Sequence, residues 1–385
     1  MEIYEFYESQ FISTQNNSET NLKKFIFLCL VIVLVGFGLL VLYSASYNEA
    51  LQNNLSGHYY VLRQAVFAVA GFLLFALIQL FSVDFIKKLL IPFFIFTVVL
   101  MLLTFSKRFG VEKFGARRWL QIGSLVSFQP SELLKVSVVL LLSKVFASDN
   151  KLASKRIYAL GILMFSSILI FLQKDYSTAL VFLLVALALL LIGKIGALYI
   201  ILSSVALIIP ATIFLFMEPY RIRRVVSFLF PSIDPSGLNW QVQNSLKAIK
   251  GASFFGKGLG NGVYKLNLIP EVHSDFIFAS LVEETGFIGV LFFFALFFAL
   301  GVIGFTFALK LYKEKKKFEA TATFGLTFMI IWQALINIGV VCSLLPPTGI
   351  PLPFFSQGGT NLFMVIGECG LLYSFLGSVN KGELR

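Results

Sequence analysis

An acid, a histidine and a second acid stand together in Pro270-Glu271-Val272-His273-Ser274-Asp275, directly before the apolar Phe276-Ile277-Phe278-Ala279. Asp275 could cap a helix starting there. A carboxylate at the edge of lipid is also partly desolvated, and so is a candidate proton acceptor; we favour the acceptor. His273 could relay a proton, since imidazole changes charge near neutral pH, although a lone histidine more often serves as a structural hydrogen-bonding group.

A second group surrounds Gly115-Ala116-Arg117-Arg118-Trp119 and Phe128-Gln129-Pro130-Ser131-Glu132-Leu133-Leu134-Lys135. Arg117 and Arg118 beside an interfacial Trp read either as a phosphate-binding rim or as arginines snorkelling to lipid headgroups. Pro130 suits the first turn of a helix, with Gln129 or Ser131 as its cap. Glu132 and Lys135, three apart, share one face and can pair near the membrane entrance. Asp175, in Gln173-Lys174-Asp175-Tyr176-Ser177-Thr178, either caps the next helix or holds an active site; both roles need the same geometry. Arg221, Arg223 and Arg224 can bind anionic lipid or a diphosphate. Gly256, Gly258, Gly260 and Gly262 alternate without a preceding strand or a following helix. This is no nucleotide fingerprint, and only mobility or close backbone approach follows from it.

The elements that must position these groups belong in a membrane. Charged residues are 13% of the chain, hydrophobic ones 58%, and the mean hydropathy is +0.86. A soluble fold of that composition would leave large apolar patches in water. Crossing the hydrocarbon takes roughly 17 to 25 helical residues. Uncharged runs of that order occur at Phe25–Tyr43, Ala65–Ser82, Leu89–Phe105, Ile157–Gln173, Tyr176–Gly193, Ile195–Met217, Thr285–Leu309 and Ala320–Leu345. Two more carry charge: Ser131–Ala147, with Lys135 and Lys144, and Gly358–Val379, with Glu368. The expectation is an all-α polytopic membrane protein of about ten transmembrane helices, with a long extracytoplasmic loop between spans 7 and 8. Cys29, Cys342 and Cys369 have no disulfide or zinc spacing.

Both termini of a ten-span chain share a side. Assigning that side to the cytoplasm puts about half of the 31 Lys and Arg residues in tails and short inner connections, as the positive-inside rule asks. The expected organisation is a cytoplasmic tail (1–24), a ten-helix membrane domain (25–379) whose large outer loop is 218–275, and a second cytoplasmic tail (380–385). A loop that long is usually functional, and Trp240, Phe254, Phe255 and Tyr264 argue against disorder. Within it, Val242–Ile249 has a helical pattern suited to lying along the membrane surface.

These segments, in this order, resemble the SEDS family of bacterial cell-wall polymerases, typified by FtsW and RodA. The similarity runs from Leu42-Tyr43-Ser44-Ala45-Ser46-Tyr47 to Pro346-Pro347-Thr348-Gly349-Ile350-Pro351-Leu352-Pro353-Phe354-Phe355-Ser356-Gln357-Gly358-Gly359-Thr360. It implies a ten-helix fold in the bacterial cytoplasmic membrane that polymerises lipid II, the undecaprenyl-diphosphate-linked disaccharide pentapeptide, on the outer side. Asp275 matches the family's catalytic aspartate, Glu132 and Lys135 a functionally important pair, and Asp175 the acid of a short motif. Gly262–Leu266 and the proline-rich run look closer to the FtsW division branch than to RodA. Lys174 stands where the family usually has Pro, Lys250-Gly251-Ala252 replaces a more glycine-rich run, and Gln357 sits where Tyr is usual.

The mechanism so implied has Asp275 accept a proton from a sugar hydroxyl that attacks a second, diphosphate-linked glycan. Arg117, Arg118, Arg221, Arg223, Arg224 and Lys135 are then candidates to stabilise the leaving group, with His273 in support. A divalent cation (Mg or Mn) could supplement them, although no clustered carboxylates specify a metal site. Expected partners are a class B penicillin-binding protein transpeptidase against spans eight and nine, where Phe292–Phe298 is rich in aromatics, other divisome proteins and membrane lipids; nucleic acid is not among them. The rival readings are a lipid II flippase, for which Glu368 inside the last span speaks, and a divisome scaffold.

Overall fold

The computed structural model is a helical bundle whose element bounds follow the hydropathy pattern. It describes residues 2–113, 116–122, 126–217, 219–230, 238–265 and 272–379. Of the two expected tails, residues 380–385 and the side chains of 2–17 lie outside that description. The helices are α1 (Glu2–Gln52), α2 (Tyr59–Gln79), α3 (Val83–Leu103), α4 (Pro130–Ala147), α5 (Leu152–Leu172), α6 (Tyr176–Ile192), α7 (Ala197–Met217), α8 (Pro219–Leu229), α9 (Leu238–Lys250), α10 (Ile277–Lys313), α11 (Lys317–Val341) and α12 (Gly359–Leu376).

Each of the ten expected spans coincides with a helix. Among the described residues seven helices, α1, α2, α3, α5, α10, α11 and α12, are long and apolar enough to cross a membrane. The apolar α6 is shorter, with 17 residues, and α4 carries Glu132, Lys135 and Lys144. The chain is an all-α, multi-pass membrane protein. Its outer faces carry Leu62, Val66, Val69 and Leu73 exposed along α2. By contrast α4 is buried around nearly its whole circumference, as a helix surrounded by other helices must be. α12 packs along α2 where small residues let the backbones approach: a Cβ at Gly370 would come within 2.9 Å of the Phe75 Cα.

One element departs from the expected architecture. The first connection, after α3, forms a three-stranded antiparallel sheet of β1 (Gly110–Lys113), β2 (Ala116–Ile122) and β3 (Val126–Phe128). Val111 pairs with Trp119 and Glu112 with Arg117, so the register skips Arg118. That extra residue is a bulge, a device that turns a side chain out of the regular alternation. The expected surface helix in the long loop is α9, and it is preceded by α8.

Two backbone features shape the end of the bundle near Asp275. α10 is broken at Gly286 (φ 64°, ψ −159°), which separates a short N-terminal piece, 277–285, from the long apolar piece. Between α11 and α12 the proline-rich run enters the bundle without helical structure, and Ile350, Leu352, Phe354 and Phe355 are buried. Irregular backbone at such depth is tolerated only when protein surrounds it, and each proline removes one N–H that would need a partner.

Candidate active site

Five elements converge on the N-terminal end of α4. Lys135 Nζ lies 3.0 Å from Glu132 Oε1, and the two side chains are 4% and 7% exposed. The pair is tied outward on both sides. Lys135 also donates to Gln333 Oε1 on α11 at 3.0 Å, and Glu132 accepts from Asn361 Nδ2 on α12 at 3.0 Å. Gln333 in turn donates to the Pro351 carbonyl at 3.1 Å, linking the pair to the proline-rich run.

Asp175, 1% exposed in its side chain, is the cap the sequence predicts and is also tied to the start of α4. As the N-cap of α6 it accepts from Thr178 N at 3.2 Å and Thr178 Oγ1 at 2.8 Å. It also accepts from Gln129 Nε2 at 2.7 Å and Ser131 Oγ at 3.2 Å at the start of α4, and lies 3.5 Å from Arg118 Nη1. Gln129 is the N-cap of α4 but makes no side-chain cap bond; its Nε2 donates instead to Ser131 Oγ and Asp175. The bulge delivers Arg118 to this cluster, where it also donates to the Lys174 carbonyl at 2.7 Å. Arg117 goes elsewhere: its Nε lies 3.1 Å from Glu112 on the neighbouring strand.

A cavity of about 90 Å³ opens among Arg118, Glu132, Lys135, Asp175, Gln333 and Gly349. Asp275 is adjacent to one of these lining residues, Gly349. A Cβ at Gly349 (φ 44°) would come within 3.2 Å of Asp275 Oδ2, so glycine there leaves the carboxylate room. The N-cap of α10 is Phe276, without a side-chain cap bond, so Asp275 does not serve as the cap; its Oδ1 accepts from Ser274 Oγ at 3.0 Å. The turn that carries it is held through its backbone. Asn337 Nδ2 donates to the Asp275 carbonyl at 2.9 Å, Ser356 Oγ to the Ser274 carbonyl at 2.6 Å, and Gln357 N to the His273 carbonyl at 2.9 Å.

His273 is buried, its ring 4.9 Å from that of Tyr60. Its Nδ1 lies 2.6 Å from Glu49 Oε2 of α1 but without hydrogen-bond alignment, so the contact is one of proximity. Arg224 reaches the proline-rich run, donating to the Pro347 carbonyl at 3.2 Å. The side chains of Arg221 and Arg223 lie outside the described residues.

A family model described as "Cell cycle protein" (FTSW_RODA_SPOVE) matches residues 24–380. The chain belongs to the FtsW/RodA/SpoVE family. It is 35% identical over 358 residues to the "Probable peptidoglycan glycosyltransferase FtsW" of Borreliella burgdorferi, covering 92% of this chain and 96% of that one. A protein of the same name from Trichlorobacter lovleyi is 31% identical over 367 residues, covering 93% and 94%. Among solved structures, one described as "Structural coordination of polymerization and crosslinking by a peptidoglycan synthase complex" superposes with a TM-score of 0.76 at 26% identity, over 93% of this chain and 98% of that one. Thermus thermophilus RodA, at 23% identity, matches in fold with a TM-score of 0.67 over 92% and 96%.

Against the FtsW/RodA/SpoVE pattern, Lys174 has a backbone consequence. It adopts φ 57°, which a proline ring forbids, so the turn before Asp175 is built differently from one with Pro at that place. Among the described residues no three His, Cys, Asp or Glu side chains converge. Sequence reading missed Gln333, Asn337 and Asn361. The signal was available in Gln333 and Asn337, two amides four apart inside an otherwise apolar span.

Proposed function

We propose that this member of the FtsW/RodA/SpoVE family is a peptidoglycan glycosyltransferase of the division branch, polymerising lipid II at the outer face of the bacterial cytoplasmic membrane, with both termini inside. The names of its relatives support the reaction class. The placement of Asp275 supports the mechanism: it is not the N-cap of α10, and its carboxylate lies beside Gly349, which lines a cleft together with Lys135 and Arg118.

In this reading the 4-hydroxyl of one lipid II attacks the anomeric carbon of a second glycan on the face opposite its diphosphate. The new C–O bond forms as the bond to the diphosphate breaks, Asp275 takes the hydroxyl proton, and undecaprenyl diphosphate departs, with inversion. Diphosphate is already a good leaving group, so positive charge matters more than a strong acid. Lys135 and Arg118 are each matched by a carboxylate, Glu132 and Asp175. Net positive charge for the diphosphate therefore falls chiefly to Arg221, Arg223 and Arg224 of α8. A membrane-anchored class B penicillin-binding protein is the partner we assign to α10, where Phe292, Phe294 and Phe298 are exposed.

The test is lipid II polymerisation by the purified full chain. Asp275→Asn and Asp275→Ala are each expected to lower glycan formation by about 10²- to 10⁴-fold, the range for a lost general base. Normal chain production by both would remove Asp275 from that role. A second reading, lipid II transport, draws on Glu368, buried on α12 at 3% exposure. Movement of lipid II across vesicles without glycan product would favour it instead.

A further inference from the structure

Asp275 stands two residues before a short piece of α10, its outer piece in this reading, that the break at Gly286 detaches from the rest of that helix. Helical continuity therefore does not fix its orientation from below. At its far end, two turns from Asp275, stand Glu283 and Glu284, both 1% exposed in their side chains and outside the cleft. Two adjacent carboxylates so deeply buried are costly unless paired, and both are.

Glu283 Oε1 lies 2.7 Å from Lys257 Nζ and accepts from Val263 N at 2.8 Å, while its Oε2 accepts from Tyr264 N at 3.2 Å. Glu284 Oε1 lies 2.7 Å from Lys265 Nζ, and its Oε2 accepts from Ser44 Oγ of α1 at 2.5 Å and Gly260 N at 3.2 Å. Lys265 closes the circuit by donating to Ser44 Oγ at 2.9 Å. The backbones are joined as well, with Lys257 N donating to the Glu283 carbonyl and Gly258 N to that of Glu284, each at 3.0 Å. The alternating glycines thus have a use. Gly256 (φ 72°) packs so closely that a Cβ there would stand 2.2 Å from the Glu284 carbonyl oxygen, and one at Gly262 would stand 2.8 Å from Glu284 Oε1.

We propose that Lys257 and Lys265, acting through Glu283 and Glu284, are positioning residues that lock the glycine-rich strap 253–265 and α1 onto the outer piece of α10, and so set where Asp275 stands. Asn337, Ser356 and Gln357 hold the turn at Asp275 itself, so the outer piece of α10 is gripped at both ends. For its catalytic consequence the proposal rests on the glycosyltransferase reading. A displacement of about 1 Å at a reacting group can cost on the order of 100-fold in rate, so loss of either grip acts on turnover rather than on substrate affinity.

The experiment uses the purified full chain with lipid II, comparing Lys257→Met, Lys257→Arg and Lys265→Met. The two Met variants are expected to lose about 10- to 100-fold in kcat with KM for lipid II within about threefold of the parent, while Lys257→Arg keeps kcat within about threefold. Amide hydrogen exchange in 272–286 is expected to speed up in both Met variants and to stay near the parent rate in Lys257→Arg. Lys257→Met is the milder change, because that side chain is one-third exposed, and it keeps the test open if Lys265→Met fails to fold. Parental kcat in the Met variants, a rise in KM alone, or unchanged exchange in 272–286 would each overturn the proposal. An inactive parent whose 272–286 exchange still depends on the two lysines would sink the glycosyltransferase reading and leave the clamp standing.

Discussion

Lys135 and Glu132 form a 3.0 Å ion pair inside the bundle, and each makes a further bond to a different helix, to Gln333 of α11 and Asn361 of α12. The pair is therefore a joint among three helices as well as a charged wall of the cleft. Removing one partner strands the other charge in a low-dielectric interior, which costs about 3–5 kcal/mol, whereas removing both leaves no orphan charge. Lys135→Met and Glu132→Gln should each lower stability by about that amount, and the double variant by less than their sum. Unfolding in detergent, analysed as a double-mutant cycle, measures the coupling.

Arg118 and Asp175 present the opposite case, because Asp175 has four other donors. Arg118→Ala should leave the α6 cap intact and cost no more than about 1 kcal/mol in stability, since its 3.5 Å contact comes from a side chain still 29% exposed. Asp175→Ala removes the cap and leaves Gln129, Ser131 and Thr178 without their acceptor, so a loss of about 2 kcal/mol or more is expected. Thermal unfolding of the two variants side by side separates these outcomes; equal losses would mean that the cap carries little.

The turn at Lys174 can be probed directly. Lys174→Pro cannot adopt φ 57° and removes the N–H that donates to the Phe171 carbonyl at 2.9 Å, so it should destabilise the chain by about 2–3 kcal/mol although the family pattern has Pro there. Lys174→Gly relieves the left-handed strain and should be neutral or stabilising, by up to about 1 kcal/mol. A proline variant as stable as the parent would show that the turn has another accessible form.

Gly286 admits no side chain. A Cβ would stand 2.2 Å from Gly256 N and 2.4 Å from the Ser253 carbonyl oxygen, both backbone atoms that cannot swing aside. Gly286→Ala should therefore cost about 2–4 kcal/mol, from positive φ and from prising the strap away. Faster amide exchange in 253–265, with α4 unchanged, would locate the damage.

Asp275, Glu132, Lys135 and Asp175 were legible in the sequence because each interrupts or borders an apolar run, where a charge has few reasons to be. The helices were legible for the same reason. The sheet was not, since its strands are short and carry charges such as Glu112, Arg117 and Arg118 in place of a clean alternation. Nor did local pattern reveal that Lys257 would find Glu283, or Lys265 Glu284, because those pairs are made by the chain folding back on itself. The alternating glycines could be read as allowing close approach; only the partner backbone, at Glu284 and Gly286, was missing.

The burial of α4 bears on how the protein is made. A charge near the middle of a helix costs about 2.5–3.5 kcal/mol on insertion into a bilayer and less toward its ends; α4 carries Lys135 in its body, with Glu132 and Lys144 in its first and last turns. As an isolated segment leaving the insertion machinery, it is the helix least able to settle in lipid. Lys144 finds the Lys87 carbonyl of α3 early in synthesis, but Gln333 and Asn361 come from α11 and α12, made much later. The membrane thus has to accommodate an unfinished cleft until α11 and α12 arrive, and completing the chain is also what commits α4 to its place.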